Sequence, residues 1–350
     1  MSSAADQDEV LFARKGHAGI ITINRPKALN AVTLNIVRAM QAQLEAWAGD
    51  DRIRWVIIKA APCRAFSAGG DVRQLYDWGM AGDPMARSFY AEEYTLNTLI
   101  KRYPKPYISI VDGIVMGGGV GVSVHGSHRV VGSDLMFAMP ETGIGLFPDV
   151  GGTYFLPRLP GETGMYMGLT GARIGQGDAL ALGIATHAVP SQRLAVLENA
   201  LHTTGALDTL IANFSAPPPA GKIAPLRAAI DRCFSAGTIE EIIARLEQDE
   251  AQPFGADTAG LLRTKSPTSL KITLRQLREG ASLSFEDCMR LEYRIVCRIL
   301  MATDFFEGVR AVIVDKDNAP KWQPGGIDDV SDSEIDRYFE PLGAGELRLP

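Results

Sequence analysis

The chain has 350 residues, 46% of them hydrophobic, enough to bury a large core in one big domain or two. Charged residues make up 22%, are interspersed, and sum to a net charge of −6, which argues against nucleic acid as the main partner. Four cysteines without Cys-x-x-Cys spacing, a polar and acidic start (MSSAADQDEV) unlike a signal or transit peptide, and no apolar run of membrane-spanning length predict a reducing, cytoplasmic setting with no membrane partner.

In chain order, β-rich runs at 10–14 and 19–24 flank Lys15-Gly16-His17-Ala18 and predict a hairpin. Asn24-Arg25-Pro26 breaks the second strand. Apolar residues at helical spacing over 33–48 then predict a helix with Thr33 as N-cap. A strand at 55–59 leads into Phe66-Ser67-Ala68-Gly69-Gly70-Asp71, with a helix opening over 71–78. A helix over 87–102 stops before Pro104. A strand at 107–111 precedes the run Met116-Gly117-Gly118-Gly119-Val120-Gly121, where the next helix is expected to open. Strand pieces follow at 130–131 and 136–137. Strands alternating with helices predict an α/β fold. Past residue 205 the pattern changes: Pro217-Pro218-Pro219 reads as a linker, and helical periodicity recurs at 226–234, 239–248, 269–279 and 284–301, the last with Ser284 as a capping residue.

Two features carry chemistry. The glycine run at 117–121 exposes backbone N–H groups with almost no side chains, so a ligand can approach the main chain closely. Twenty residues on, Pro140-Glu141 and Asp149 supply two acids with Gly143, Gly145 and Pro148 between them, so a looping backbone and not one helix face must aim them. Bare N–H donors with paired carboxylates suit chemistry on a carbonyl. Read alone, Glu141 can equally be a solvated turn acid and Asp149 the N-cap of a helix beginning near Gly151-Gly152. Of five histidines only His125 and His128 lie close together, and this pair without a third ligand does not predict a metal site.

Ile23-Asn24-Arg25-Pro26 with Leu29-Asn30-Ala31, Phe66 through Asp71, Gly113 through Gly121, and Pro140-Glu141, in that order, resemble the crotonase (enoyl-CoA hydratase/isomerase) superfamily. The run 137–159, Ser123-Val124-His125-Gly126, 265–271, 304–311, Asp315-Lys316-Asp317 and Pro320-Lys321-Trp322 resemble most its 3-hydroxyisobutyryl-CoA hydrolase branch. The resemblance implies a crotonase-like α/β core of repeated ββα units over residues 1–205, binding acyl-CoA and catalysing. It implies a mainly helical region over 206–350 packed on that core, with the Asp304–Arg310 motif docking helices. It also implies that the N–H groups of Gly70 and Gly118, aided by helix N-terminal dipoles, polarise a thioester carbonyl. Glu141 and Asp149 would act on it, Glu93 would bind the acyl group with Gly118, Glu141 and Asp149, and Arg25 and Arg73 would hold CoA phosphates, with Lys27 and Lys316 as weaker choices.

One departure selects the reaction. Hydratases of the superfamily use two glutamates to place water across a C=C bond, and the first falls at Gly121, which cannot hold water. The expected activity is therefore hydrolysis of a short-chain β-hydroxyacyl-CoA, 3-hydroxyisobutyryl-CoA of valine breakdown first among them. No cofactor is implied, because CoA arrives with the substrate, and oligomers remain open. The rivals are an isomerase or atypical hydratase using Glu141 alone, and a non-catalytic acyl-CoA-binding protein. The glycine run lacks the Gly-x-Gly-x-x-Gly spacing and following acid of a dinucleotide site.

Overall fold

A computed structural model describes residues 8–203 and 205–350; most of the polar N-terminal stretch therefore lies outside the described residues. The chain forms two compact units, each assembled from separated segments: Met1–Gly70, Leu99–Met136 and Gly175–Pro219 in the first, Asp71–Thr98, Phe137–Ile174 and Ala220–Pro350 in the second. Compactness thus partitions the molecule differently from chain order, and the Pro217-Pro218-Pro219 run ends at a boundary between units.

Among the described residues there are nine strands: β1 Val10–Lys15, β2 Ala18–Ile23, β3 Trp55–Ala60, β4 Ala65–Ser67, β5 Tyr107–Val111, β6 Ile114–Met116, β7 His128–Val131, β8 Met136–Ala138 and β9 His187–Ala188. The first unit is built on a six-stranded sheet ordered β1-β2-β3-β5-β7-β9. The hairpin is antiparallel, with Val10 opposite Ile23, and the remaining neighbours are parallel. Register aligns Ile20 with Ile57 and Ile57 with Ile108, so alternate residues stack on one face. There Ala18, Ile20, Trp55, Ile57, Ile108 and Ile110 bury against Leu194, Leu197, Leu201 and Ile211, and Trp55 Nε1 donates to the Leu201 carbonyl at 2.9 Å. The helix Leu34–Ala48 buries Leu34, Val37, Met40, Leu44 and Trp47 at helical spacing, and Thr33 caps it by accepting from the Ile36 N–H at 3.2 Å.

Beside this sheet β4 pairs parallel with β6, Ser67 opposite Val115, and both strands run straight into glycine turns. Gly69 has φ 118° and Gly117 φ 44°, conformations that favour glycine. The first turn opens the nine-residue helix Val72–Met80, where a helix was expected, and Asp71 caps it by accepting from the Gln74 N–H at 3.2 Å. After the second, the expected helix is only one turn, Gly118–Gly121, because consecutive glycines have the poorest helix propensity short of proline.

In the second unit the long helices are Met85–Lys101, which runs on into the first unit, Pro267–Gly280 and Phe285–Ile299, the last two capped by Ser266 and Ser284. Helices at Phe254–Leu262 and Asp332–Phe339 went unread in the sequence. The helix Asp304–Val309 does dock: Gly308 lies against the backbone of Ile144 and Gly145 against that of Asp304, while the Asp304 carboxylate accepts from Ser266 Oγ at 2.6 Å and the Gln323 N–H at 2.9 Å.

The glycine turns tolerate no side chain where they touch. A Cβ on Gly119 would stand 2.6 Å from Ser67 Cβ and 2.7 Å from its carbonyl oxygen, whereas one on Gly49 meets nothing. Gly119→Ala should therefore lower the melting temperature by roughly 2–8 °C, corresponding to about 1–3 kcal/mol of overpacking. Gly49→Ala should shift it by no more than about 2 °C. Equal melting curves for the two variants would contradict the close approach of Gly119 to β4.

Candidate active site

In the first unit, the two expected donor positions occupy adjoining turns. The turn at Gly69 lies 3.6–3.9 Å from Met116 and Gly117, measured from the position a Cβ would take. Gly118 is the first residue of its helical turn, so its N–H lies outside the helix's own hydrogen-bond ladder. A single turn carries little macrodipole, so the dipole contribution expected at Gly118 reduces to the oriented N–H itself. The Leu29-Asn30-Ala31 motif explains what holds the first turn. Leu29 and Asn30 adopt left-handed φ of 51° and 54°, the Ala68 N–H donates to the Leu29 carbonyl at 3.0 Å, and the Val32 N–H donates to the Gly69 carbonyl at 2.8 Å. The buried Asn30 amide donates to the carbonyls of Ala61 and Ala65, both at 3.0 Å. Gly121, buried at the end of the short helix, puts no carboxyl group into this region.

The second unit gathers the expected acids. Glu141 opens the 3₁₀ turn Glu141–Ile144, is 4% exposed, and its Oε2 has no partner among the described residues. It is not a solvated turn acid. Asp149 is 4% exposed and accepts from Tyr94 Oη at 2.8 Å. It caps nothing, since the helix Gly152–Phe155 has Gly151 as its N-cap. Glu93 does not lie on a solvated face; it is 2% exposed, with Oε1 unpartnered among the described residues.

A fourth acid, Glu292, escaped the sequence reading. It is fully buried, and its carboxylate accepts from the N–H groups of Gly151 at 2.9 Å and Thr153 at 3.0 Å. It thereby satisfies the orphan donors at the start of a helix from a remote element. It also clamps the turn behind Asp149, where Val150 holds φ 49°, a left-handed conformation that costs a β-branched residue about 1–3 kcal/mol. The signal was a charge inside an apolar stripe: helical spacing sets Glu292 on the buried face with Cys288, Met289, Ile295 and Val296. Gln276 assists by donating to the Pro148 carbonyl and to Thr153 Oγ1.

Burial and mutual repulsion push these carboxyls upward. Desolvation raises Glu141 well above the ordinary range, and the charge of Asp149 adds to it; Glu93 is raised for the same two reasons. Asp149 is pushed up to about 7 by burial, against a lowering by the Tyr94 hydroxyl. Glu292 is pushed up to about 8 by burial and by Asp149, against the hydrogen bonds from Gly151 and Thr153. Such a cluster shares its protons as one system.

The expected phosphate-binding residues have protein partners. Arg25 pairs with Glu9 at 3.0 Å and donates to the Ala31 carbonyl at 3.0 Å, while Arg73 pairs with Asp77 at 3.2 Å one helical turn away. Lys27 and Lys316 are exposed. His128 lies 2.8 Å from Asp208 and stacks on His187, and no group of three or more His, Cys, Asp or Glu is placed to hold a metal ion among the described residues.

The raised acids carry a stability signature. Groups whose folded values exceed their unfolded ones stabilise the fold while protonated, fully below the unfolded values near 4, and lose that contribution as pH rises through about 7 to 8. The melting temperature should therefore fall as pH rises from about 4 to about 8, and Asp149→Asn should flatten the fall. An unchanged slope in that variant, measured by thermal melts across pH, would contradict the raised value of Asp149.

Residues 18–339 match the family described as enoyl-CoA hydratase/isomerase. The chain is 45% identical over 359 residues to the mitochondrial 3-hydroxyisobutyryl-CoA hydrolase of Rattus norvegicus, spanning 100% of this chain and 93% of that one. It is 43% identical over 352 residues to the protein of that name from Homo sapiens, spanning 98% and 91%. Two solved structures are similar throughout: a carnitinyl-CoA dehydratase from Mycobacterium thermoresistibile (TM-score 0.94, 43% identity, 98% of this chain and 99% of that one) and an enoyl-CoA hydratase from Rhodobacter sphaeroides (TM-score 0.92, 41% identity, 98% and 100%). The chain belongs to the enoyl-CoA hydratase/isomerase, or crotonase, family and has its fold.

Proposed function

We propose that this protein is an acyl-CoA thioester hydrolase that cleaves 3-hydroxyisobutyryl-CoA to CoA and the free hydroxy acid, a step of valine breakdown. The observation that carries the reading is the buried pair Glu141 and Asp149 in a chain with glycine at position 121. Relatives named 3-hydroxyisobutyryl-CoA hydrolase, similar over nearly the whole chain, support it.

In this mechanism the N–H groups of Gly70 and Gly118 donate to the thioester oxygen, which gains negative charge as the carbonyl carbon becomes tetrahedral; one such donor contributes about 3–4 kcal/mol. Glu141 takes a proton from water as the water oxygen bonds to that carbon. Alternatively, Glu141 attacks the carbon itself and forms a mixed anhydride that water then opens. On either route the C–S bond breaks and sulfur leaves with the electron pair, which an ordinary thiol of pKa ~8.5 does with little acid assistance. A carboxylate whose pKa is lifted by burial is a better-matched base near neutral pH than an ordinary one. Asp149, held by Tyr94, orients the water or the acyl group, and Glu93 binds the acyl end. Arg25 and Arg73 serve the CoA phosphates, exchanging acid partners for phosphate. Residues 1–205 then act as the acyl-CoA-binding catalytic core and 206–350 as its helical complement. No separate cofactor is required.

We place the protein in a cytoplasmic setting, which its four free cysteines support; its curated relatives carry "mitochondrial" in their names. No helix among the described residues is long and apolar enough to cross a membrane.

The second reading, a hydratase or isomerase with Glu141 as its single acid/base, draws on the descriptions of the two similar solved structures. Assaying thiol release from 3-hydroxyisobutyryl-CoA alongside loss of crotonyl-CoA absorbance separates them. Hydrolysis should dominate, and efficient hydration without thiol release would overturn the assignment. Glu141→Gln should lower kcat by at least ~100-fold while leaving CoA-ester affinity within about threefold. A variant retaining more than about a tenth of kcat, a loss under ~1.4 kcal/mol, would remove Glu141 from the chemical step.

A further inference from the structure

The helix Met85–Lys101 presents a polar row that the mechanism above does not use fully. Tyr90, Glu93, Tyr94 and Asn97 stand at positions i, i+3, i+4 and i+7, so they share one helical face. All four are buried, Asn97 and Tyr94 completely. Tyr94 gives its hydroxyl to Asp149 at 2.8 Å. The others are unsatisfied among the described residues: Tyr90 Oη, Glu93 Oε1, and both Nδ2 and Oδ1 of Asn97. A buried donor or acceptor left unpaired has given up its hydrogen bonds to water with nothing in return. An asparagine with neither end of its amide paired, on the face that also carries a carboxyl group and a phenol bonded to Asp149, requires a polar partner brought to it.

We infer that Asn97 is a specificity-determining residue that grips the β-hydroxyl of the acyl-CoA substrate; this rests on the thioesterase reading above. The chemistry of the group selects the partner. A hydroxyl is donor and acceptor at once, so it can accept from Nδ2–H and donate to Oδ1 of the same amide in a closed ring. A ketone or carboxylate oxygen, having no proton to give, satisfies only Nδ2. A plain acyl chain satisfies neither and buries both unpaired, which is how a site built around a hydroxyl rejects the analogue lacking it. Glu93, one turn earlier on the same face, supports the same end of the substrate with its free Oε1.

The test compares kcat/KM for 3-hydroxyisobutyryl-CoA and isobutyryl-CoA, by thiol release, in the wild type, Asn97→Leu and Asn97→Ala, with melting temperatures recorded for each. Leucine has nearly the shape of asparagine and no polar atoms, so Asn97→Leu should melt no lower than the wild type while the preference for the hydroxylated ester drops by at least ~30-fold. Asn97→Ala should lose the same preference with a different packing cost, which separates recognition from folding. An equal loss on both esters in the two variants, or a wild type that does not prefer the hydroxylated ester, would overturn the role of Asn97. A wild type that releases thiol from neither ester would instead overturn the thioesterase reading, and the inference with it.

Discussion

Four carboxyl groups buried with one another, and with no ion pair among the described residues, are the constraint on which the second unit depends. Glu93, Glu141, Asp149 and Glu292 come from the helix Met85–Lys101, the turn 141–149 and the helix Phe285–Ile299, and each is at most 4% exposed. Such an arrangement is costly unless protons stay on some of the acids or fixed dipoles compensate. Both occur. Glu292 is compensated by two backbone N–H groups and Asp149 by a phenol, while Glu93 and Glu141 each keep an oxygen unpaired and are pushed well above their ordinary range. In the proposed mechanism the groups with the least compensation are those that meet the substrate.

The first unit makes the opposite contribution. Its two glycine turns offer backbone donors and no side chains, and their rigidity comes from the Leu29-Asn30-Ala31 turn and from the packing of Gly119 on Ser67. The proposed mechanism draws on both kinds of help, because oxygen gains charge while a proton must leave the attacking water. Glycine at 121 removes the carboxylate a second water-holding acid would supply, leaving chemistry directed at the acyl carbon rather than at a double bond.

Local structure was legible wherever it has a local cause. The hairpin, the caps at Thr33 and Ser284, and the strands β3 and β5 follow from residue pattern and side-chain chemistry, and the order of the motifs pointed to the family, whereas β4 and β6, the short strands that enter the glycine turns, went unread. What could not be read is pairing at a distance. The bond from the Gly151 N–H to Glu292 spans 141 residues, and that between Tyr94 and Asp149 spans 55. The interleaving of the two units, which the chain enters and leaves repeatedly, likewise has no local signature. Glu292 and Asn97 were nonetheless marked in the sequence as polar residues interrupting buried helical faces. That mark separates a satisfied capping acid from an unsatisfied amide only once the partners are placed.

The bond broken in the proposed reaction is the acyl C–S bond. Incubating 3-hydroxyisobutyryl-CoA with the protein in ¹⁸O-labelled water for many turnovers, and weighing all products by mass spectrometry, tests it most directly. Free 3-hydroxyisobutyrate labelled in its carboxyl group is the expected product, with CoA thiol released in equal amount. Intact CoA ester carrying the label at its β-hydroxyl, with no free acid, would reveal reversible dehydration and contradict it.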